Sequence, residues 1–428
     1  MIITFKNDSE DSFVGDDCEK VIDFSRSDTF TYTFWSLKDR YPFWYNTKAL
    51  DLLYLSFAVF AADRLYKRED SKDAWSREFI LNVPALNKEV FDENTQLLEE
   101  MISFLTGDHW QFHFRKRELA DYEIAHRNRK KKKNETEKSY DQVCMFSGGL
   151  DSFIGAIDLL TEYPLKKTLF VSHYGGGKGT KEYQDYLKDA FVSRYALESR
   201  DFCQFYAKAV GGIEDTTRSR SFMFFAHAVV LASAQGKPID LIIPENGLIS
   251  LNIPSTYSRI GTSSTRTTHP FYMNKFQKLL DNLGLRISFK NPYQFKTKGE
   301  MLLECKDHEF MVENLAHTMS CSHPDIGRMY SETEARHCGH CLPCVIRQAA
   351  ILRAGIQDPS SYRDRQFTSG PNATMIRNSY NLGLSKFKPE QAFLTIQMNG
   401  PIERNINEFA SLYVRGMQEL QNYMDSIK

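Results

Sequence analysis

A six-residue turn, Ser147-Gly-Gly-Leu-Asp-Ser152, narrows the fold of this chain more than any other stretch. It lies between a short apolar run, Val143-Cys-Met-Phe146, and a segment from Phe153 to Leu160 with the spacing of a helix. Gly148 and Gly149 let the backbone turn tightly and approach a ligand with no Cβ in the way. The amides of such a turn and of the first helical turn point at one spot, where the helix dipole favours an anion. Ser147 and Ser152 add hydroxyl donors, and Leu150 adds a main-chain amide. Asp151 is acidic where a phosphate should sit, which magnesium between the two or capping of the helix would explain.

Strands and helices alternate from there on. Thr168-Leu-Phe-Val-Ser172, Phe202-Cys-Gln-Phe-Tyr206 and Asp240-Leu-Ile-Ile243 read as strands. Segments from about Lys181 to Arg194 and from Phe222 to Ala234 read as helices. The pattern predicts an α/β fold, a doubly wound parallel sheet. At 428 residues the chain is long enough for two or three domains, and 42% hydrophobic and 25% charged residues suit a globular core. A net charge of -1 excludes a strongly basic nucleic-acid binder.

The polar run His126-Arg-Asn-Arg-Lys-Lys-Lys-Lys-Asn-Glu-Thr-Glu-Lys138 marks a boundary. The expected domains are therefore 1–125, an additional N-terminal α+β domain suited to partner docking; 126–140, a basic linker; 141–358, the doubly wound domain that carries the glycine turn; and 359–428, a mostly helical extension. In the first of these, Glu78 to Val83 and Trp110 to Phe114 read as strands, and Leu50 to Tyr66 and Asn87 to Leu105 as helices. All four Trp (Trp35, Trp44, Trp75, Trp110) lie there, as core packing. A nucleic-acid contact through Arg127 to Lys133 is the less favoured reading of the basic run. Acidic residues in MIITFKNDSEDSF argue against a signal peptide. The apolar run Leu52 to Ala62, bracketed by Asp51 and Asp63, is about half of the roughly 20 residues a membrane span needs and predicts a buried helix. Eight cysteines without an export signal fit a reducing, cytoplasmic setting.

Four of those cysteines form a second pattern, Cys321-x16-Cys338-Gly-His-Cys341-Leu-Pro-Cys344. Thiolates on two tight turns suit tetrahedral Zn2+, and a closed four-thiolate site leaves no position for water, so its role is structural. His323, His337 or His340 are alternatives to Cys321, the least secure ligand. Cys18, Cys144, Cys203 and Cys305 are expected to be core thiols.

The Ser-Gly-Gly-x-Asp-Ser turn differs from the P-loop of kinases and resembles the signature of the PP-loop superfamily, whose members cleave ATP between the α and β phosphates. With C-G-x-C-x-x-C, Arg347 and Gly355 following, residues 141 to 358 resemble 7-cyano-7-deazaguanine synthase, QueC. The resemblance implies an adenine nucleotide alpha hydrolase-like fold using ATP and Mg2+, with Ser147, Gly148, Gly149, Leu150, Asp151, Ser152, Arg218 and Arg220 at the nucleotide. Asp151, Ser152 and Lys298 are the implied catalytic positions. Tyr174 and Glu182 match a tyrosine-glycine loop and the glutamate after it, and Lys296 and Lys298 a lysine after a proline. Gly175-Gly-Gly-Lys-Gly179 reads as a lid hinge. The family chemistry implies adenylation of 7-carboxy-7-deazaguanine, release of pyrophosphate and attack by an amine, yielding an amide or nitrile.

Departures from the family concern the acceptor. The acidic Tyr-Pro-Asp-Cys segment is replaced by Pro244-Glu-Asn-Gly-Leu-Ile-Ser-Leu-Asn-Ile-Pro254, a Ser/Thr-rich stretch from Thr262 to Thr268, and His269-Pro-Phe271. The extra regions at both ends are similar to those of QueC-like proteins of bacterial anti-phage operons of the Qat type, which implies a protein partner from the same operon and a protein amine as acceptor. Glu245, His227 and His269 are position-based choices for a general base. The rival readings are a catalytically weak scaffold of a defence complex and a tRNA-modifying PP-loop enzyme.

Overall fold

A computed structural model describes residues 1–36, 41–132, 138–175, 178–215, 218–252, 266–327 and 332–427. Of the positions singled out above, residues 133–137, Gly176, Gly177 and residues 253–265 lie outside the described residues. Strands β1 (Ile2–Lys6), β2 (Lys20–Asp23) and β3 (Phe30–Tyr32) precede helix α1 (Thr47–Leu65), and β4 (Glu78–Ala85), α2 (Lys88–Asp92), α3 (Thr95–Thr106), β5 (His109–Lys116) and α4 (Asp121–Lys132) follow it. Then come β6 (Gln142–Met145), α5 (Leu150–Glu162), β7 (Thr168–Tyr174), α6 (Lys178–Tyr195), β8 (Phe202–Ala209), α7 (Arg220–Ser233), β9 (Ile239–Ile242), α8 (Gly247–Ser250), α9 (Pro270–Asn282) and β10 (Ile287–Lys290). Helices α10 (Lys298–Leu303), α11 (His308–Asn314), α12 (Leu342–Arg353), α13 (Pro371–Ser385), α14 (Ala392–Gln397) and α15 (Ile406–Ser426) complete the chain.

The larger sheet runs β10-β9-β6-β7-β8-β3, parallel throughout except where β3 pairs antiparallel with β8. Its five parallel strands have the doubly wound order, which reverses between β6 and β9. A crevice opens at the carboxyl ends of the strands at such a reversal. The turn after β6 and the segment after β9 both lie there.

The smaller sheet, β2-β1-β4-β5, is also parallel. The N-terminal region is thus α/β, a correction to the α+β expectation: the alternation cue for parallel pairing is weak where strands are few and helices unequal. Nor is that region set apart by its packing. Ile3, Phe5 and Leu81 share one core with Val143, Leu169 and Leu241, and β3 joins the larger sheet.

Helix α1 lies in this shared core, buried along nearly its whole length. A helix apolar all round needs neighbours on every side. Its two bracketing acids are spent internally: Asp51 accepts from the Leu86 and Asn87 amides at 2.8 Å, and Asp63 joins a cluster described below. No helix among the described residues is long and apolar enough to cross a membrane.

Two expectations from the sequence need correction. The helix expected from Asn87 to Leu105 is broken at Glu93 and Asn94, where Asn94 Nδ2 donates to the Val90 carbonyl at 2.7 Å, an Asn side chain competing locally with the helix ladder. The polar run begins as the end of α4, because Arg and Lys are good helix formers and because Tyr122 and His126, one turn apart, both pack on Trp35 (5.7 and 5.0 Å between ring centroids).

Candidate functional site

The Ser147–Ser152 turn joins β6 to α5 at the sheet reversal, and its backbone is held from three sides. Gly148 takes φ +82°, and a Cβ there would stand 2.9 Å from Gln184 Cγ. Gln184 in turn donates to the carbonyls of Ser147 (3.0 Å) and His173 (3.1 Å). The Met319 amide donates to the Gly148 carbonyl at 2.8 Å, and the Leu150 amide to Ser320 Oγ at 3.3 Å. Ser152 Oγ donates to the Gly149 carbonyl at 3.0 Å and lies 3.1 Å from Ser147 Oγ. Gly149 itself is extended, at φ -83°. Of the two glycines expected to let the backbone turn tightly, only Gly148 takes a left-handed φ.

The turn opens into a cavity of about 360 Å³. Every nucleotide and catalytic position expected from the sequence lines it except Gly148, which lies in the wall behind. Asp151 is engaged within the protein: its carboxylate pairs with Lys298 Nζ at 3.1 Å and accepts from Asn246 Nδ2 at 2.7 Å. Lys298 is buried at the start of α10, where Thr297 and Glu300 form a reciprocal cap. Lys296 instead pairs with Glu304 at 2.5 Å and does not line the cavity.

Arg218 and Arg220 stand at the start of α7. Arg220 is exposed and makes no ion pair among the described residues. Arg218 is buried, with its guanidinium 4.6 Å from the Trp75 ring centroid and donating to the Thr106 carbonyl at 2.8 Å. Between them, Ser219 gives its amide (3.0 Å) and hydroxyl (2.6 Å) to Asp63 Oδ2. Asp63 belongs to a buried cluster in which Arg68 and Arg77 each also pair with Asp108 at 2.8 Å. The N-terminal region therefore anchors the basic segment from behind. Removing one member of a buried ion network leaves uncompensated charge, so Asp63→Ala is expected to cost about 3–5 kcal/mol. A fall in the urea midpoint, together with weaker ATP binding, checks this.

The sulfurs of Cys321, Cys338, Cys341 and Cys344 all lie within 4.8 Å of one another. Two of the pairs are 3.9 Å apart. Zinc–sulfur bonds of about 2.3 Å in a tetrahedron require about 3.8 Å between sulfurs, so the quartet fits Zn2+. His337 stands beside the quartet, its Nδ1 3.8 Å from Cys344 Sγ and its Nε2 3.2 Å from the Thr318 carbonyl, but among the described residues the four sulfurs alone form the mutually close set. Amides of His323 and Cys338, each at 3.3 Å, point at Cys321 Sγ, as they would toward a thiolate. Cys321 also lines the cavity, directly after the Met319 and Ser320 contacts to the turn. Buried Arg347 ties the same loop down through Thr318 Oγ1 (2.6 Å) and the Leu315 carbonyl (2.8 Å). Of the remaining cysteines three are buried, but Cys18 is only half-buried, near the N-terminal surface.

The three candidate bases separate cleanly. His227 is enclosed by Phe34, Phe57 and Phe205, and burial lowers it to about 4. His269 caps α9 by accepting from the Phe271 amide at 3.2 Å, and burial lowers it to about 3. Glu245 alone lines the cavity. Burial and the neighbouring Asp151 raise it to about 7, against the pull of Thr268 and Lys298. Sequence position could not rank the three, since only the topology brings the end of β9 beside the end of β6. His173, Gln184 and Ser320 carried no recognisable motif and were missed. Tyr174 and Glu182 do not line the cavity.

No family model matches the chain. Part of it is similar to curated 7-cyano-7-deazaguanine synthases. The protein from Methanococcus aeolicus is 30% identical over 94 residues, 21% of this chain and 38% of that protein. The protein from Rhizobium rhizogenes is 30% identical over 116 residues, 25% of this chain and 44% of that protein. The chain thus spans less than half the length of the curated relatives it matches. The similarity supports a QueC-like kinship for part of the chain and a PP-loop, ATP-using site.

Proposed function

We propose that this chain is an ATP-dependent carbon–nitrogen ligase that adenylates a carboxylate of the 7-carboxy-7-deazaguanine kind and passes the acyl group to an amine. The observation that carries this reading is the meeting of the Ser147–Ser152 turn, Arg220 and Lys298 in one cavity at the sheet reversal. Hydroxyls and cations at the start of a helix suit a polyphosphate, and the turn suits pyrophosphate as the leaving group. The substrate carboxylate attacks the α-phosphate, the bond to the bridging oxygen breaks, and pyrophosphate leaves into the turn. Lys298, held by Asp151, is placed to steady the charge that develops on phosphate. Magnesium enters with ATP as its counter-ion. The zinc quartet holds the loop that clasps the turn and takes no chemical step.

The partial similarity to 7-cyano-7-deazaguanine synthases favours a 7-deazaguanine substrate. The altered segment from Pro244 to Phe271 and the added regions at both ends favour a protein amine over ammonia, with a partner encoded in an anti-phage defence operon of the Qat type and the reaction taking place in the cytoplasm. A thiolating reading is disfavoured because none of Cys18, Cys144, Cys203 and Cys305 lines the cavity.

Mass spectrometry of products from ATP, magnesium and 7-carboxy-7-deazaguanine tests the proposal, with ammonium or companion proteins supplied. AMP and pyrophosphate are expected only when the acid is present, and a companion protein is expected to gain the acyl mass at an amine. Full conversion to free nitrile with ammonium alone would remove the protein acceptor. ADP and phosphate as primary products would remove the adenylation reading.

A further inference from the structure

We propose that Glu245 accepts the proton that the amine loses when it displaces AMP, an assignment that rests on the adenylation reading above. Glu245 stands where β9 ends, at the sheet reversal, and its half-buried side chain lines the same cavity as the Ser147–Ser152 turn. Its carboxylate is fixed rather than neutralised. Thr268 Oγ1 donates to Glu245 Oε2 at 3.0 Å and is itself 2.8 Å from Ser250 Oγ, while Asn291 Nδ2 holds the Glu245 main-chain carbonyl at 2.9 Å.

The nearby ammonium is committed elsewhere, since Lys298 pairs with Asp151. Asn246, the next residue, fixes the other side of Asp151. The groups that bear on Glu245 are Asp151 from α5, Lys298 from α10 and Thr268 ahead of α9, with Arg218 and Arg220 lining the same cavity. Burial and Asp151 outweigh Lys298 and Thr268, so the carboxyl changes charge near neutrality, where a base both ionises and accepts a proton readily.

The two half-reactions place different demands on such a group. A carboxylate attacks the α-phosphate already ionised and has no proton to lose. In the second half, the free amine nitrogen bonds to the acyl carbon, the carbon–oxygen bond to AMP breaks, and AMP keeps the electron pair. One N–H proton must then leave, and it passes to the Glu245 carboxylate.

The intact protein and its Glu245→Gln variant separate the halves. Acid-dependent exchange of pyrophosphate into ATP is expected to stay within about threefold of the parent, which also shows that the variant folds. With ammonium supplied in excess as a small stand-in for the protein amine, amide formation is expected to fall by about 10²–10⁴-fold, with partial recovery in Glu245→Asp. At a fixed concentration of free ammonia, the parent's amide rate is expected to rise with pH up to about 7 and level off above it, and the variant's to stay flat. Equal loss of exchange and amide formation, or a raised KM for the acid in exchange, would assign Glu245 to substrate binding and overturn the proposal. Unchanged amide formation would overturn it too. Absence of exchange in the parent with this acid would remove the adenylation reading, and the base assignment with it.

Discussion

Gly148→Ala is expected to reduce AMP and pyrophosphate formation by about 10²–10³-fold, the scale of losing an oriented donor at a charged transition state. The residue sits at φ +82°, and an alanine held there costs about 1–2 kcal/mol. That strain alone is too small for the expected effect. The larger consequence is displacement of Gln184, whose Cγ would stand 2.9 Å from the new Cβ. Gln184 is the clip between the Ser147 and His173 carbonyls, so moving it re-aims the turn that the proposal assigns to pyrophosphate. Gly149→Ala should be milder, because its backbone is ordinary and its Cβ would meet Ser147 Oγ at 3.3 Å and the Met319 carbonyl at 3.4 Å. Chromatographic quantification of AMP checks both variants, with zinc content as the control for folding. A Gly148→Ala enzyme as active as its parent would show that the turn does not grip the leaving group.

The parts of this site that were legible in the sequence are those in which chemistry is local. The Ser147–Ser152 turn and the cysteine quartet announce themselves because a tight turn needs glycine and zinc needs thiolates at short intervals. The doubly wound order followed from the alternation of short apolar runs with helical segments. Glu245 was legible only as one of three acid–base side chains, because its neighbours Asp151, Thr268 and Lys298 come from three separate elements. The Asp63 cluster was opaque for a related reason. Asp63 read correctly as one bracket of a buried helix, but nothing near it in sequence points to Ser219, 156 residues away. The N-terminal region looked independent because a polar run follows it, whereas its core continues into the larger sheet. Hydrophobic periodicity tells which face of an element is buried and not what buries it.

Cys344→Ser is expected to remove both zinc and ATP turnover, although no cysteine takes part in the chemistry proposed. Structural zinc is bound by the folded state, with apparent binding free energies of about 10–16 kcal/mol in small zinc domains, so losing a ligand draws directly on folding. Cys344 is fully buried in the first turn of α12, which also carries Arg347. Without metal, Cys321 is no longer drawn toward Cys338, Cys341 and Cys344, and the segment immediately before it loosens. That segment supplies the Met319 amide to Gly148 and Ser320 Oγ to the Leu150 amide. Metal loss therefore reaches the ATP turn through three residues of chain. Elemental analysis is expected to show about one zinc per parent chain and substoichiometric zinc in the variant, with a lower thermal midpoint. A separate variant, Ser320→Ala, is expected to keep its zinc and its thermal midpoint while ATP turnover falls by a smaller factor, which separates the clasp from the metal. If Cys344→Ser lost zinc yet released pyrophosphate at the parent's rate, the turn would be self-supporting and the coupling through Met319 and Ser320 would be wrong.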